Sequence, residues 1–256
     1  MTASNWSTAV QTVKGVLSAT LACPQTDLDR EGVSVYEAKS LEGRLRFPLR
    51  EKALTIVTMG KGVVVSCSAD RMDWARRELG GLVTGQIFTA RTAALLEELV
   101  AQDRQFMAGP DQKYVCSADH FRAFTVPPGV GVSTYRGDQV SGLYGYTRFK
   151  HALSFRADSP RPDKMATIAV CDGTVVGIAG ASEDSETMWQ IGVDVLPEYQ
   201  GKGIGKAVVG TLTLSILQEG VTPYYSTITS NLQSRQLAAS LGYWPAWVEM
   251  YARDSS

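Results

Sequence analysis

Residues 191–209, IGVDVLPEYQGKGIGKAVV, hold the densest chemistry in this 256-residue chain. A strand-like run is followed by a turn, by Gln200, and by three alternating glycines, Gly201, Gly203 and Gly205, with Lys202, Ile204 and Lys206 between and after them. A helical pattern starts there. The first amides of a helix have no intrahelical acceptor, and they lie at the positive end of the helix dipole, where an anionic phosphate fits. Glycine lets ligand oxygens reach those amides. The plainer reading of a bare Gly-x-Gly is a turn that caps a helix and binds nothing. Two other phosphate loops are excluded. A dinucleotide fingerprint needs glycine where Lys206 stands. A Walker loop needs glycine in place of Gln200 and a hydroxyl in place of Ala207.

Other reactive residues are sparse. The four cysteines, Cys23, Cys67, Cys116 and Cys171, are scattered, and the only histidines are His120 and His151. This leaves little for a metal site, a disulfide framework or a histidine-driven triad. We expect no metal, and four reduced thiols in a cytoplasmic protein. The formal net charge of −1 offers no excess of cations for a nucleic-acid backbone. No apolar run reaches the roughly 20 residues that span a bilayer, so no membrane partner is expected. Residues 16–23 look faintly like a lipoprotein signal. Trp6, Val10, Val13, Leu17 and Leu21 instead recur at helical spacing, as one apolar stripe.

The elements that position the glycine loop lie in the second half. The adjacent prolines of 125–129 mark a connector, giving residues 1–125 and 126–256. In the second half, 130–135 reads as a strand and 139–155 as one or two aromatic-rich helices. Strands at 164–170 and 174–179 join across Asp172–Gly173, a type I′ turn signal. A strand follows at 188–196, then a helix at 203–218 ended by Gly220. After a strand at 224–228, Ser230 and Gln233 suggest a capping box for a last helix, and 248–252 is a final strand. The first half shows the opening helix, a strand at 33–38, a hairpin at 53–59 and 62–68, and helices at Met72–Leu79 and Ala90–Ala101. It carries no chemical motif.

The pattern Gln200-x-x-Gly203-x-Gly205 after a strand ending in Val-Leu-Pro-Glu-Tyr resembles the GNAT superfamily of N-acetyltransferases. So do SNLQSRQLAASLGYWPAW at 230–247 and the order of elements from 130 to 252. The likeness covers about half the chain and points to a bacterial subgroup with an extra N-terminal domain. The resemblance implies an α/β (α+β) fold: a C-terminal GNAT domain with a mixed central sheet flanked by helices, beside a smaller N-terminal α/β domain. It also implies transfer of an acetyl group from acetyl-CoA to a primary amine of a small molecule or peptide. Gln200, Gly201, Lys202, Gly203, Ile204, Gly205 and Lys206 would hold the CoA pyrophosphate. A bulge at Val193, Asp194 and Val195 would offer main-chain groups to pantetheine and the acetyl carbonyl. Asn231 would lie near the pantetheine arm, and Ser234 would let the cofactor pass.

Two familiar groups are missing. Ala238 stands where many members have a tyrosine acid, and Trp189 where one branch has a glutamate base. Tyr225 as thiolate donor and Glu186 as base are our substitutes. Glu186 also reads as one of three solvated turn carboxylates, with Glu183 and Asp184. Trp189, Trp244 and Trp247 either flank the acceptor channel or belong to the core. The competing function is an acyl-CoA-binding sensor without turnover. The N-terminal half would serve interaction, homodimer formation or the acceptor wall.

Overall fold

The structure, a computed structural model, describes residues 5–255. Its helices are α1 (Trp6–Leu21), α2 (Met72–Leu79), α3 (Thr84–Ile87), α4 (Ala90–Ala101), α5 (Ile204–Gln218) and α6 (Leu232–Ser240). Its strands are β1 (Gly32–Glu37), β2 (Leu54–Thr58), β3 (Gly62–Cys67), β4 (Gln105–Val115), β5 (Val130–Arg136), β6 (Asp163–Cys171), β7 (Thr174–Glu183), β8 (Met188–Val195), β9 (Thr222–Ile228) and β10 (Trp244–Asp254). They divide into two compact units. One comprises Met1–Thr12, Tyr114–Ser226 and Asn231–Trp244, the other Val13–Lys113, Thr227–Ser230 and Pro245–Ser256. The compact units thus part differently from a cut at 125. Residues 114–125 fall with the glycine-loop unit, and most of β10 falls with the other.

In the first unit the strand order is β9-β8-β7-β6-β5. Strands β5 to β8 are antiparallel neighbours, while β8 and β9 run parallel, so the sheet is mixed. The β6–β7 turn has positive φ at both Asp172 and Gly173, as type I′ demands. Alternation along the strands gives the sheet two buried faces. On one, Val208, Leu212 and Ile216 of α5 and Ala238 of α6 pack with Ala169, Ala179 and Ile191. On the other, Ile168 and Ile178 meet Val140, Leu143, Phe149 and Leu153. Burying one such aliphatic side chain is worth about 1.5–3 kcal/mol, so both faces contribute to fixing the strands around the glycine loop.

The expected helices at 139–155 do not form. A 3-10 turn covers Gly137–Leu143, and the rest is turns and coil. Glycines at 142 and 145 weaken a helix here. Side-chain carboxylates from β6 and β8 then take the amides that helical carbonyls would otherwise take, as described below.

In the second unit the order is β1-β3-β2-β10-β4. The β2–β3 hairpin forms as expected, β1 joins β3 in parallel, and β10 is antiparallel to β2. Leu54, Ile56, Val63 and Val65 pack there with Leu79, Ile87, Leu96 and Val100. Strand β4 escapes a sequence reading because Gly109–Pro110 looks like a turn. Gly109 has φ +99 and its missing Cβ makes room for the Glu249 carbonyl, so the strand passes through the irregularity. Lys113 is buried on this strand against Glu249, 2.7 Å away.

Candidate functional site

Strand β8 is the axis of the site. Toward β7 its pairing is continuous, from Glu183↔Trp189 to Gly177↔Val195. Toward β9 the pairing starts at Met188↔Thr222 and stops at Ile191↔Tyr225. Residues 192–195 therefore have a strand partner on one side only. This divergence, with no register shift at the expected bulge, leaves the main chain of Val193 and the Val195 amide open on the β9 side, while the main chain of Asp194 faces β7. The register shifts of this sheet lie between β6 and β7 instead.

Beyond Val195 the chain turns through Pro197–Tyr199 and reaches the glycine loop. The Gln200 side chain donates to the Val195 carbonyl at 3.2 Å, which ties the loop to the end of β8. The three glycines serve different ends. Gly201 has φ +73 and open space around it. Gly203 is the left-handed N-cap of α5, with φ +81, and its carbonyl accepts from Ala207. Gly205 lies inside the helix, where an added Cβ would meet Leu237 and Val195 at ordinary contact distance. The amides of Ile204, Gly205 and Lys206 head a fifteen-residue helix, so they carry the positive end of its dipole. Lys202 lies 5.0 Å from the centre of the Tyr199 ring.

Asn231, and not Ser230, is the N-cap of α6. Its side-chain oxygen accepts from the Ser234 amide at 3.1 Å. Tyr225 is buried next to that turn, with Ser234 near its hydroxyl. Burial pushes its hydroxyl above the ordinary tyrosine range, and the neighbouring Ser234 offsets part of the rise. Its ring lies 6.1 Å from that of Tyr243. Tyr224 faces the other side and donates to the buried carboxylate of Asp184, which also pairs with Arg161 at 3.1 Å. Asp184 is therefore a structural ion-pair partner and not a solvated turn residue.

A cavity of about 110 Å³ lies on the Tyr224 side of the sheet. It is lined by His151, Ser154, Arg161, Asp163, Ser182 and Gln190, together with residues 152–153 and Gly192. Gln190 is held by Tyr224 at 2.9 Å. Asp163 accepts from the Ser154 amide and hydroxyl and from Tyr144. Sequence reasoning missed these residues, since they come from four separate segments and share no spacing. The readable signal was one of the only two histidines, set in an aromatic-rich stretch.

The structure brings the glycine loop, 193–195, Tyr225, Asn231 and Ser234 around the diverging strands. It does not bring Glu186 there. That residue is exposed in the β7–β8 turn, five positions before Ile191, about 16 Å of strand. The tryptophans differ from one another. Trp247 is buried and donates to Glu249. Trp244 is 46% exposed and lies against His120 and Trp6. Trp189 packs beside the α5 cluster, with its ring nitrogen buried and without a partner.

Among the described residues no helix is long and apolar enough to cross a membrane. No group of three or more His, Cys, Asp or Glu among them is placed to hold a metal.

Residues 134–243 match the Acetyltransferase (GNAT) family. Residues 134–243 thus form a GNAT acetyltransferase domain. No curated protein matches the chain. Among solved structures it is similar to a GCN5-related N-acetyltransferase-like protein from Streptococcus suis, at 18% identity over 64% of this chain and 69% of that one, with a TM-score of 0.46. It is also similar to a GCN5-related N-acetyltransferase from Kribbella flavida, at 15% identity over 63% of this chain and 64% of that one, again with a TM-score of 0.46. A Drosophila protein covers 97% of this chain and 90% of its own length, at 12% identity and a TM-score of 0.47.

Proposed function

We propose that this chain is an N-acetyltransferase that moves an acetyl group from acetyl-CoA to a primary amine of a small molecule or peptide. One observation carries the reading: β8 and β9 part beside a glycine-rich helix N-terminus, so an extended arm and its pyrophosphate have adjoining places to bind. The pyrophosphate would rest on amides of the loop at Gln200, Gly201, Lys202, Gly203, Ile204, Gly205 and Lys206. The pantetheine arm would take the place of the missing strand partner along Val193, Asp194 and Val195, with the Asn231 amide and Ser234 on its other side. Residues 151–154 and Gln190 would hold the amine on the opposite face of β8.

In this scheme the amine nitrogen attacks the thioester carbonyl carbon, and main-chain N–H groups of residues 192–195 stabilise the oxyanion. The carbon–sulfur bond breaks and the thiolate takes the Tyr225 hydroxyl proton. Holding both reactants supplies much of the rate. The amine proton goes to a base. His151 lines the pocket and is better placed for this than Glu186, and an imidazole suits proton transfer near neutral pH.

The test is an amine library with acetyl-CoA, read by release of free thiol and by mass of the product. Acetylated amine and stoichiometric thiol support the proposal. Saturable CoA binding with no thiol released by any amine supports the sensor reading instead.

A further inference from the structure

The side chain of Asp194 has a task separate from that of its main chain. One carboxylate oxygen accepts from three consecutive amides, those of Lys150, His151 and Ala152, at 2.8, 2.6 and 2.9 Å. These residues belong to neither helix nor strand. Three converging amides make a concave anion site, and here the anion is supplied by the protein itself. The sheet is shaped to receive the loop. Gly180 and Gly192 are cross-strand partners on β7 and β8. A Cβ on Gly192 would lie 2.2 Å from the His151 carbonyl oxygen, and one on Gly180 would lie 2.3 Å from that of Ala152. Two side-chain-free positions thus let the loop backbone sit on the sheet. Asp194, two residues along, fastens it there. Two of the fastened residues, His151 and Ala152, line the cavity, followed along the same loop by Leu153 and Ser154.

We propose that Asp194 is a positioning residue for the acceptor. Its carboxylate holds the 150–152 amides and so shapes the pocket on one face of β8, while its backbone belongs to the stretch that diverges from β9. This rests on the acyltransferase reading for its kinetic consequence, but the rivet itself is a property of the free protein.

Hydrogen exchange on the full chain reads the rivet without any ligand. The amides of Lys150, His151 and Ala152 are expected to be protected in the wild type, although no helix or strand holds them. In Asp194→Ala they should exchange at least about tenfold faster, because a bond from an amide to a charged acceptor is worth more than one such factor. Asp194→Asn keeps one acceptor oxygen and should fall between. In turnover, Asp194→Ala should lower kcat/KM for the amine about tenfold or more, while the Kd of CoA changes less than about threefold, since its contacts there are main-chain. Asp194→Asn should recover part of the loss. Two results would overturn the proposal: open-loop exchange of these amides in the wild type, which needs no variant to fold, or an equal loss of amine and CoA recognition in a folded Asp194→Ala. If the wild type neither binds CoA nor acetylates any amine, the activity reading fails, and the exchange result still decides the rivet.

Discussion

Ile191 and Tyr225 are the last partners of β8 and β9, and beyond them the two strands run on without each other. Tyr225 is thus both the end of the pairing and a hydroxyl buried beside the gap, near Ser234 of α6. The candidate site lies where the sheet stops pairing, and the proposed proton donor sits at that fork.

Tyr225→Phe keeps the ring in the core and removes the hydroxyl. We expect kcat to fall about 10²-fold, the scale of a positioned proton donor, with both KM values nearly unchanged. Burial raises the Tyr225 pKa, so the donor stays protonated throughout the neutral range, and the wild-type rate should show no loss attributable to it there. Steady-state kinetics against pH check this. An unchanged kcat in the variant removes Tyr225 from the mechanism.

His151 and Glu186 can be separated directly. His151→Gln should lower kcat about 10²-fold, and Glu186→Gln should leave it within about twofold, because the latter lies in an exposed turn. The reverse ranking would return the base to Glu186 and require the turn to fold over the cleft.

The glycines of this domain should respond to alanine in opposite ways. Gly192→Ala sets a Cβ against the His151 carbonyl and should cost about 1–3 kcal/mol, as overpacking does. Gly205→Ala meets only ordinary contacts inside α5 and should be neutral or stabilising by up to about 1 kcal/mol. Urea unfolding of the two variants gives the comparison, and a destabilised Gly205→Ala would mean that the α5–α6 packing is tighter than described.

Much of this was legible in advance, and the exceptions share a cause. Helix α5 showed itself by its apolar period and its flanking glycines, Gly203 and Gly220. The β6–β7 hairpin was visible in Asp172 and Gly173. These are local patterns. Residues 139–155 read as helix because their aromatics recur, but the amides there are satisfied by Asp194, more than forty positions away, and by Asp163. Strand β4 was hidden because Gly109 and Pro110 are turn residues in isolation. Asn231 replaced Ser230 as a cap because the chain enters α6 one residue later than the Ser-x-x-Gln pattern suggests. At the site, the glycine loop was readable as a motif. The pocket was not, since its lining is assembled by contacts distant in sequence.

Alkaline pH should weaken the fold in a defined window. Burial pushes the thiols of Cys23 and Cys67 up to about 11 and that of Cys116 to about 12, from a starting value of 9.0. Above pH 9 the unfolded chain sheds thiol protons that the folded chain keeps. The stabilisation is therefore whole below pH 9 and is lost as pH rises toward 12. Urea midpoints at pH 8 and pH 10 should drop more for the wild type than for Cys116→Ala. Equal drops would show that this thiol ionises freely in the folded state.

In the acyltransferase reading, CoA phosphates rest on the amides that open α5. Backbone amide spectra of the protein titrated with CoA test it most directly. The resonances of Gly203, Ile204, Gly205 and Lys206 should shift and saturate with the Kd measured by calorimetry, and pantetheine, which lacks the pyrophosphate, should leave them in place. Binding of CoA that does not move these four amides, or that moves them no more than pantetheine does, would contradict the account.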